Sequence, residues 1–216
     1  MTPAGNAVSR VAIVLGAGQG IGQATALHLN GKGFVAVSCA RRRGALEAVV
    51  EESGAEKTAH VIPGDITDPS FCEKPATVKA IAPVMPRNGF GRIVDVVGNA
   101  GKEPAPGLFL SGLVNAAVAN TGTYLASRHA PHGVTVNSVH PGTVRTGRYD
   151  RALHHLSRSA GIPRAEAEAR LRRTVPMDRP GEAHEVAAVI GFLASEEAAC
   201  LTGQQISVEG GQLACP

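Results

Sequence analysis

A five-residue apolar run, Val11-Ala-Ile-Val-Leu15, empties directly into Gly16-Ala-Gly18-Gln19-Gly20-Ile21-Gly22, after which the patterning turns helical. A buried strand, a glycine turn and a helix in that succession leave few folds open. Glycine lets the backbone turn sharply and approach a phosphate, and the N-terminus of the next helix offers unpaired amides and a partial positive charge. The segment reads as a cradle for a dinucleotide pyrophosphate, with Gly16, Gly18, Gln19, Gly20, Ile21 and Gly22 as binding residues. The competing reading is a glycine-rich loop in an unrelated fold, and the order of the remaining elements decides against it.

With 216 residues the chain fits one domain, 1–216, able to bury roughly 70% of its unfolded surface without staples. Cys39, Cys72, Cys200 and Cys215 lie far apart without CxxC spacing, which fits free thiols better than a disulfide or metal framework. No metal is expected. The formal charge of +3 is mild and the cations are scattered except at Arg41-Arg42-Arg43 and Arg170-Leu-Arg172-Arg173, so no nucleic-acid partner is indicated. No apolar run reaches the length of a membrane span, and residues 1–10 lack the apolar centre of a signal peptide. No membrane partner is expected, and a cytoplasmic location is the default. There is no Trp, with two Tyr and five Phe. The core must come from Ala, Val, Leu and Ile, which suits parallel strands covered by helices.

Strands are expected at 11–15, 34–38, 58–62, 92–97, 134–139 and 205–208, with helices at 21–29, 44–53, 114–129 and 182–195. This alternation predicts an α/β, Rossmann-like, doubly wound parallel sheet. Residues 147–178 have only a helical, charged pattern and read as an insertion outside the sheet. Ligands in such folds sit beyond the carboxyl ends of strands, so the insertion is either a substrate lid or a solvated helix pair.

The chain resembles the short-chain dehydrogenase/reductase family over nearly its whole length. Gly16, Gly20 and Gly22 match the family's TGxxxGxG turn, with Leu15 in place of Thr or Ser. Asp65-Ile66 matches the acidic-aliphatic pair set against the adenine, and Pro141-Gly142-Thr143-Val144-Arg145-Thr146 looks like the segment lining the nicotinamide. Arg179-Pro180-Gly181-Glu182, Phe192 to Ser195, Thr202-Gly203-Gln204 and Val208 to Gly211 read like its C-terminal signature. The resemblance implies a nicotinamide-dependent oxidoreductase acting on a keto or hydroxy group of a small organic substrate, with Asp65, Ile66, Pro141, Gly142, Val144 and Thr146 added to the cofactor site. Cofactor choice has a physical basis: a ribose 2′-hydroxyl favours an acid after the second strand, a 2′-phosphate an Arg. Arg41, Arg42 and Arg43 stand there without an acid, which favours NADP over NAD, Arg41 and Arg42 being the binding candidates.

The catalytic positions depart from the family. Its register puts Gly98 at the substrate-binding Ser, Ser111 at the proton-donating Tyr and Asn115 at the Lys. Gly98-Asn99-Ala100-Gly101 imitates the NNAG turn after the family's fourth strand, but the register assigns Arg92 to Val97 to the fifth. Tyr124-Leu-Ala-Ser-Arg128 imitates YxASK too close to the end of its helix. Only 29 residues separate Asp65 from Asp95, about fifty too few for the family's further strand and long helix. That loss should either bring the fifth strand into the vacated place or leave backbone groups of the first strand unpaired, and it should expose apolar surface on the helix Val114 to His129 and weaken any homo-oligomer. Substitute groups for the lost acid are Ser111, Asn115 and Asn99, beside Tyr149 (otherwise a lid anchor) and His140 (otherwise a satisfied loop histidine). His154-His155 is expected at the surface. The alternative functions are a cofactor-binding scaffold or regulator without turnover, and a truncated, non-functional product.

Overall fold

The computed structural model describes residues 10–65, 68, 84–104 and 107–214. The chain divides into two compact units, Met1–Ile81 and Ala82–Pro216. Their boundary falls inside the shortened stretch between Asp65 and Asp95.

The first unit runs β1 (Val11–Leu15), α1 (Gly20–Gly31), β2 (Val35–Ala40), α2 (Arg43–Ser53) and β3 (Ala59–Pro63). The strands are parallel in the order β1-β2-β3, with Val11 opposite Val35 and Ala36 opposite Ala59. Small and branched apolar residues make this work: Val14, Ala26, Leu29, Ala36, Cys39, Leu46 and Val49 are all buried. The Asn30 amide ends α1 by donating to the Phe34 and Thr58 carbonyls, both at 3.1 Å, which ties the helix to the starts of two strands. Burial pushes the Cys39 thiol up to about 11, so this cysteine serves as packing.

The second unit runs β4 (Gly91–Val96), α3 (Phe109–His129), β5 (Val134–Pro141), β6 (Val144–Arg145), α4 (Gly147–Ala160), α5 (Arg164–Arg172), β7 (Gly181–Glu182), α6 (Ala183–Leu193) and β8 (Gln205–Val208). Its main sheet is parallel in the order β4-β5-β8, and β6 pairs with β7. Every residue of β5 is buried, as a central strand covered by helices requires. β4 hydrogen-bonds directly to the strand that ends at Pro141, which agrees with placing Arg92 to Val97 in the family's fifth strand. Among the described residues β1 pairs only with β2 and β4 only with β5.

Two boundaries differ from the sequence reading. The helix expected from Val114 starts at Phe109, one turn and more earlier. Within this earlier start Gly112 is a packing residue, since a Cβ on it would lie 2.7 Å from the Ala100 carbonyl oxygen. The helix expected at 182–195 is Ala183–Leu193, with Glu182 as N-cap in a capping box with Glu185. Residues 147–178 fold as α4 and α5 around Tyr149, Leu153 and Ala167. The exposed apolar surface expected on α3 is present: Phe109 is 79% exposed and Leu110 72%, with Leu113, Val114 and Tyr124 also exposed.

Candidate functional site

The first unit forms the cradle. The Gly16 and Ala17 amides donate to the Cys39 carbonyl at 2.8 and 3.1 Å, which hangs the turn on the end of β2. Gly16 has φ +79°, a conformation that side chains rarely adopt. A Cβ on Gly22 would run into the Gly16 carbonyl, and one on Gly18 would lie 3.2 Å from the Ala40 Cβ. These glycines therefore let α1 begin directly under the turn. Gln19 caps α1 with extended backbone and no side-chain cap, and no acid stands in the first turn. Amides in the first turn of a helix, here those of Gly20, Ile21 and Gly22, have no acceptor within the helix and are available to an anion. Arg42 Nη2 donates to Gln19 Oε1 at 3.3 Å, bringing the basic run to the lip of the turn. Arg43 pairs with Glu47 at 3.7 Å on α2, and Arg41 is exposed. Asp65 follows β3, where its carbonyl accepts the Asp68 amide at 3.1 Å. Ile66 lies outside the described residues.

In the second unit, a short turn at Asn99–Gly101 leaves β4 and packs on the first turns of α3. Asn115 Nδ2 donates to Ser111 Oγ at 3.2 Å, the i to i+4 spacing that puts both on one helix face. A Cβ on Gly98 would lie 3.1 Å from Asn115 Nδ2, and one on Gly101 2.8 Å from Asn115 Cβ. Gly98 and Asn115 thus fit each other, the Asn115 amide taking the room a side chain at 98 would use. With its amide turned to donate, Asn99 Nδ2 lies 3.0 Å from the His140 carbonyl and 3.2 Å from that of Pro141. It fastens the end of β5 to the turn.

Pro141, Gly142, Val144 and Thr146 follow in one buried-to-surface passage. The Gly142 amide donates to the Val208 carbonyl at 3.0 Å, and a Cβ there would lie 2.6 Å from Glu209 Cβ. Gln212 accepts from the Thr143 amide at 2.7 Å and donates to its hydroxyl at 3.0 Å. Val144 is buried, and Thr146 precedes α4 with its hydroxyl donating to the Val144 carbonyl at 3.3 Å. Lys102 escaped the sequence reading. Its ammonium donates to the Gln205 carbonyl at 3.2 Å and to Ser207 Oγ at 3.0 Å, clamping the turn to β8. Its position four residues after Gly98 was the available signal.

Tyr149 is buried at the root of α4, under the Arg145 guanidinium at 5.5 Å, the placement of an anchor. Tyr124 is 61% exposed on the far half of α3. His154 and His155 are exposed. His140 departs from the reading as a loop histidine: it belongs to β5 and is 0% exposed. Sequence placed the strand end two residues early, before Pro141, and so put His140 in a loop. Burial, then the Lys102 charge, push its pKa down, and the nearby Gly98 backbone and Gln205 side chain only partly offset this. Burial likewise raises the Asp95 carboxyl.

The His140 shift fixes the sign of a pH effect. Its folded pKa is depressed, so the unfolded chain takes up the proton first as pH falls below about 6.5. Stability is lost from there down to the folded value, by at most about 1.4 kcal/mol per pH unit. Denaturant melts of wild type and His140→Asn at descending pH should show the variant losing less stability across that window. Parallel losses would remove His140 as the cause.

Residues 74–212 match the family model described as Enoyl-(Acyl carrier protein) reductase, and residues 10–77 the one described as short chain dehydrogenase. The chain is 32% identical to the NADPH-dependent reductase BacG of Bacillus subtilis (strain 168), covering 94% of this chain and 98% of that protein. That alignment spans 253 positions, whereas 94% of 216 residues is about 203, so about fifty positions find no residue here. A short-chain dehydrogenase/reductase of Armillaria gallica is 29% identical over 94% of this chain and 95% of its own. Among solved structures, YwfH, described as an NADPH dependent reductase involved in bacilysin biosynthesis, superposes with a TM-score of 0.86 at 32% identity, covering 96% of this chain and 100% of that one.

Proposed function

Since the chain belongs to the short-chain dehydrogenase/reductase family, we propose that it is an NADPH-dependent reductase acting on the keto group of a small organic substrate, with weakened proton delivery. The observation that carries this reading is the cradle itself: a turn that a Cβ at 22 would fill, opening on an uncapped helix with Arg42 at its lip. Those residues suit a dinucleotide pyrophosphate and a ribose 2′-phosphate. BacG and YwfH, both described as NADPH-dependent, support the same choice. Gly16, Gly18, Gln19, Gly20, Ile21 and Gly22 would hold the pyrophosphate, Arg41 and Arg42 the 2′-phosphate, Asp65 and Ile66 the adenine side, and Pro141, Gly142, Val144 and Thr146 the nicotinamide side. When bound, the cofactor supplies hydride.

The chain's own part is to orient the substrate oxygen. Asn115 Nδ2 donates to Ser111 Oγ, which leaves the hydroxyl proton free to point at a substrate oxygen and stabilise developing negative charge there. Serine is a far weaker acid than tyrosine, whose reference pKa is about 10, and Asn115 brings no charge. Ser111 therefore acts as a hydrogen-bond donor, with the proton itself drawn from solvent. Asn99, in this reading, acts through the end of β5. General acid catalysis is typically worth about 10² to 10⁴ in rate, so turnover should be slow by about that factor.

Oxidation of NADPH, followed by absorbance against a panel of ketones, tests the assignment. Slow, substrate-dependent oxidation that Ser111→Ala reduces further is expected. NADPH binding with no oxidation on any ketone would turn the reading to a binding protein. For the basic run, Arg42→Ala should erase most of the preference for NADPH over NADH, about tenfold, because one charge-assisted contact to the 2′-phosphate is lost. An unchanged ratio of the two dissociation constants would remove Arg42 from the site.

A further inference from the structure

The loop after β5 has no ladder of its own. Gly142 and Thr143 lie between the last residue of β5 and the first of β6, yet every polar group of Thr143 is taken. Its carbonyl accepts the Gly181 amide at 2.8 Å. Its amide donates to Gln212 Oε1 at 2.7 Å, and its hydroxyl accepts from Gln212 Nε2 at 3.0 Å. The same Nε2 faces the Thr174 carbonyl at 3.4 Å and the Thr174 hydroxyl at 3.5 Å, on the stretch that leaves α5. One side chain thus joins the loop to the root of the α4–α5 pair. Only an amide can do this, since it accepts from an N–H through one atom and donates to a carbonyl through the other.

The end of the chain is shaped to deliver Gln212 there. Gly210 and Gly211 turn it after β8 at φ +66° and +87°, a region side chains rarely adopt. A Cβ at 210 would lie 2.7 Å from Val175 Cγ1, and one at 211 would lie 3.2 Å from the Pro176 Cβ. The Met177 amide donates to the Gly210 carbonyl at 3.1 Å, and the Glu209 carboxylate accepts the Leu213 amide at 3.1 Å. Across the loop, a Cβ on Gly142 would collide with Gln212 Oε1, so glycine and glutamine fit one another. We propose that Gln212 is a positioning residue for the nicotinamide half of the cofactor: through Thr143 it sets the path of residues 142–144, and through Thr174 it ties that path to the segment that follows α5. The proposal rests on the reductase reading, which puts Pro141, Gly142, Val144 and Thr146 on the nicotinamide side. Gln212 itself needs no contact with the cofactor. Ordering a loop before the ligand arrives removes that cost from binding, and holding a reacting ring in place depends on such support.

The test uses the full chain and two ligands: NADPH, and 2′-phosphoadenosine 5′-diphosphoribose, which is the same cofactor without its nicotinamide ring. Calorimetric titration gives both affinities, and the fluorescence lifetime of bound NADPH reports how firmly the ring is held. Gln212→Leu should weaken NADPH binding about tenfold, the cost of ordering one loop residue at the moment of binding. It should also move the bound lifetime toward that of free NADPH and leave the ring-less ligand unchanged. Gln212→Glu keeps an acceptor for the Thr143 amide and loses the donor. It should fall between wild type and Gln212→Leu, and it carries the test alone if the leucine variant does not fold. A role in stability alone would weaken both ligands equally; that result, or no change in either, overturns the proposal. A wild-type lifetime equal to that of free NADPH would overturn the placement of the nicotinamide at residues 141–146, and the proposal with it. Failure of wild type to bind either ligand would overturn the reductase reading itself.

Discussion

Gly98→Ser, Ser111→Tyr and Asn115→Lys introduced together should raise kcat with a ketone substrate by about 10² to 10⁴. The three belong together for a steric reason. A Cβ at 98 meets the Asn115 amide at 3.1 Å, so Gly98→Ser alone presses on the Ser111–Asn115 hydrogen bond and should slow the enzyme. A lysine at 115 carries its polar end beyond that contact and brings the charge that lowers a neighbouring phenol's pKa. Single-turnover rates for the three single variants and the triple variant separate the effects. If the triple variant folds, binds NADPH and gains nothing, positions 98, 111 and 115 do not face the reacting oxygen.

The second large effect concerns the cradle. Gly22→Val should weaken NADPH binding by about a hundredfold, the loss of one or two charge-assisted contacts. The side chain would collide with the Gly16 carbonyl, so α1 must withdraw from the turn and its first amides leave the pyrophosphate. Gly31→Ala is the control, on the last residue of the same helix with open space around its Cβ, and should leave binding intact. Titrations of both variants check this, with circular dichroism confirming that helix content persists. Equal binding by Gly22→Val and wild type would place the phosphates elsewhere.

The strands and the cradle were legible in the sequence because both are local. Val11 to Leu15 is an apolar run of strand length and the glycine turn follows it immediately; observed β1 has those bounds. Gln205 to Val208 was equally plain. What sequence hid was set by tertiary contact. The start of α3 at Phe109 lies five residues before the expected one, in a turn where Gly112 packs against the Ala100 carbonyl. His140 reads as a loop residue before Pro-Gly, but its own pairing with Ser207, and that of Pro141 with Val208, keep it within β5. The coupling of Gly98 to Asn115 and the reach of Lys102 to Ser207 cross 17 and 105 positions of sequence, beyond any periodicity. The shortening between Asp65 and Asp95 was visible as a count of the 29 residues between them.

The central claim is a folded cradle that prefers NADPH. Titrating NADPH and NADH separately into the purified chain tests it most directly, read by the cofactor's own fluorescence because the chain contains no Trp. Saturable binding of one NADPH per chain, about tenfold tighter than NADH, is the predicted result. Binding of neither, by a chain that melts cooperatively, would contradict it.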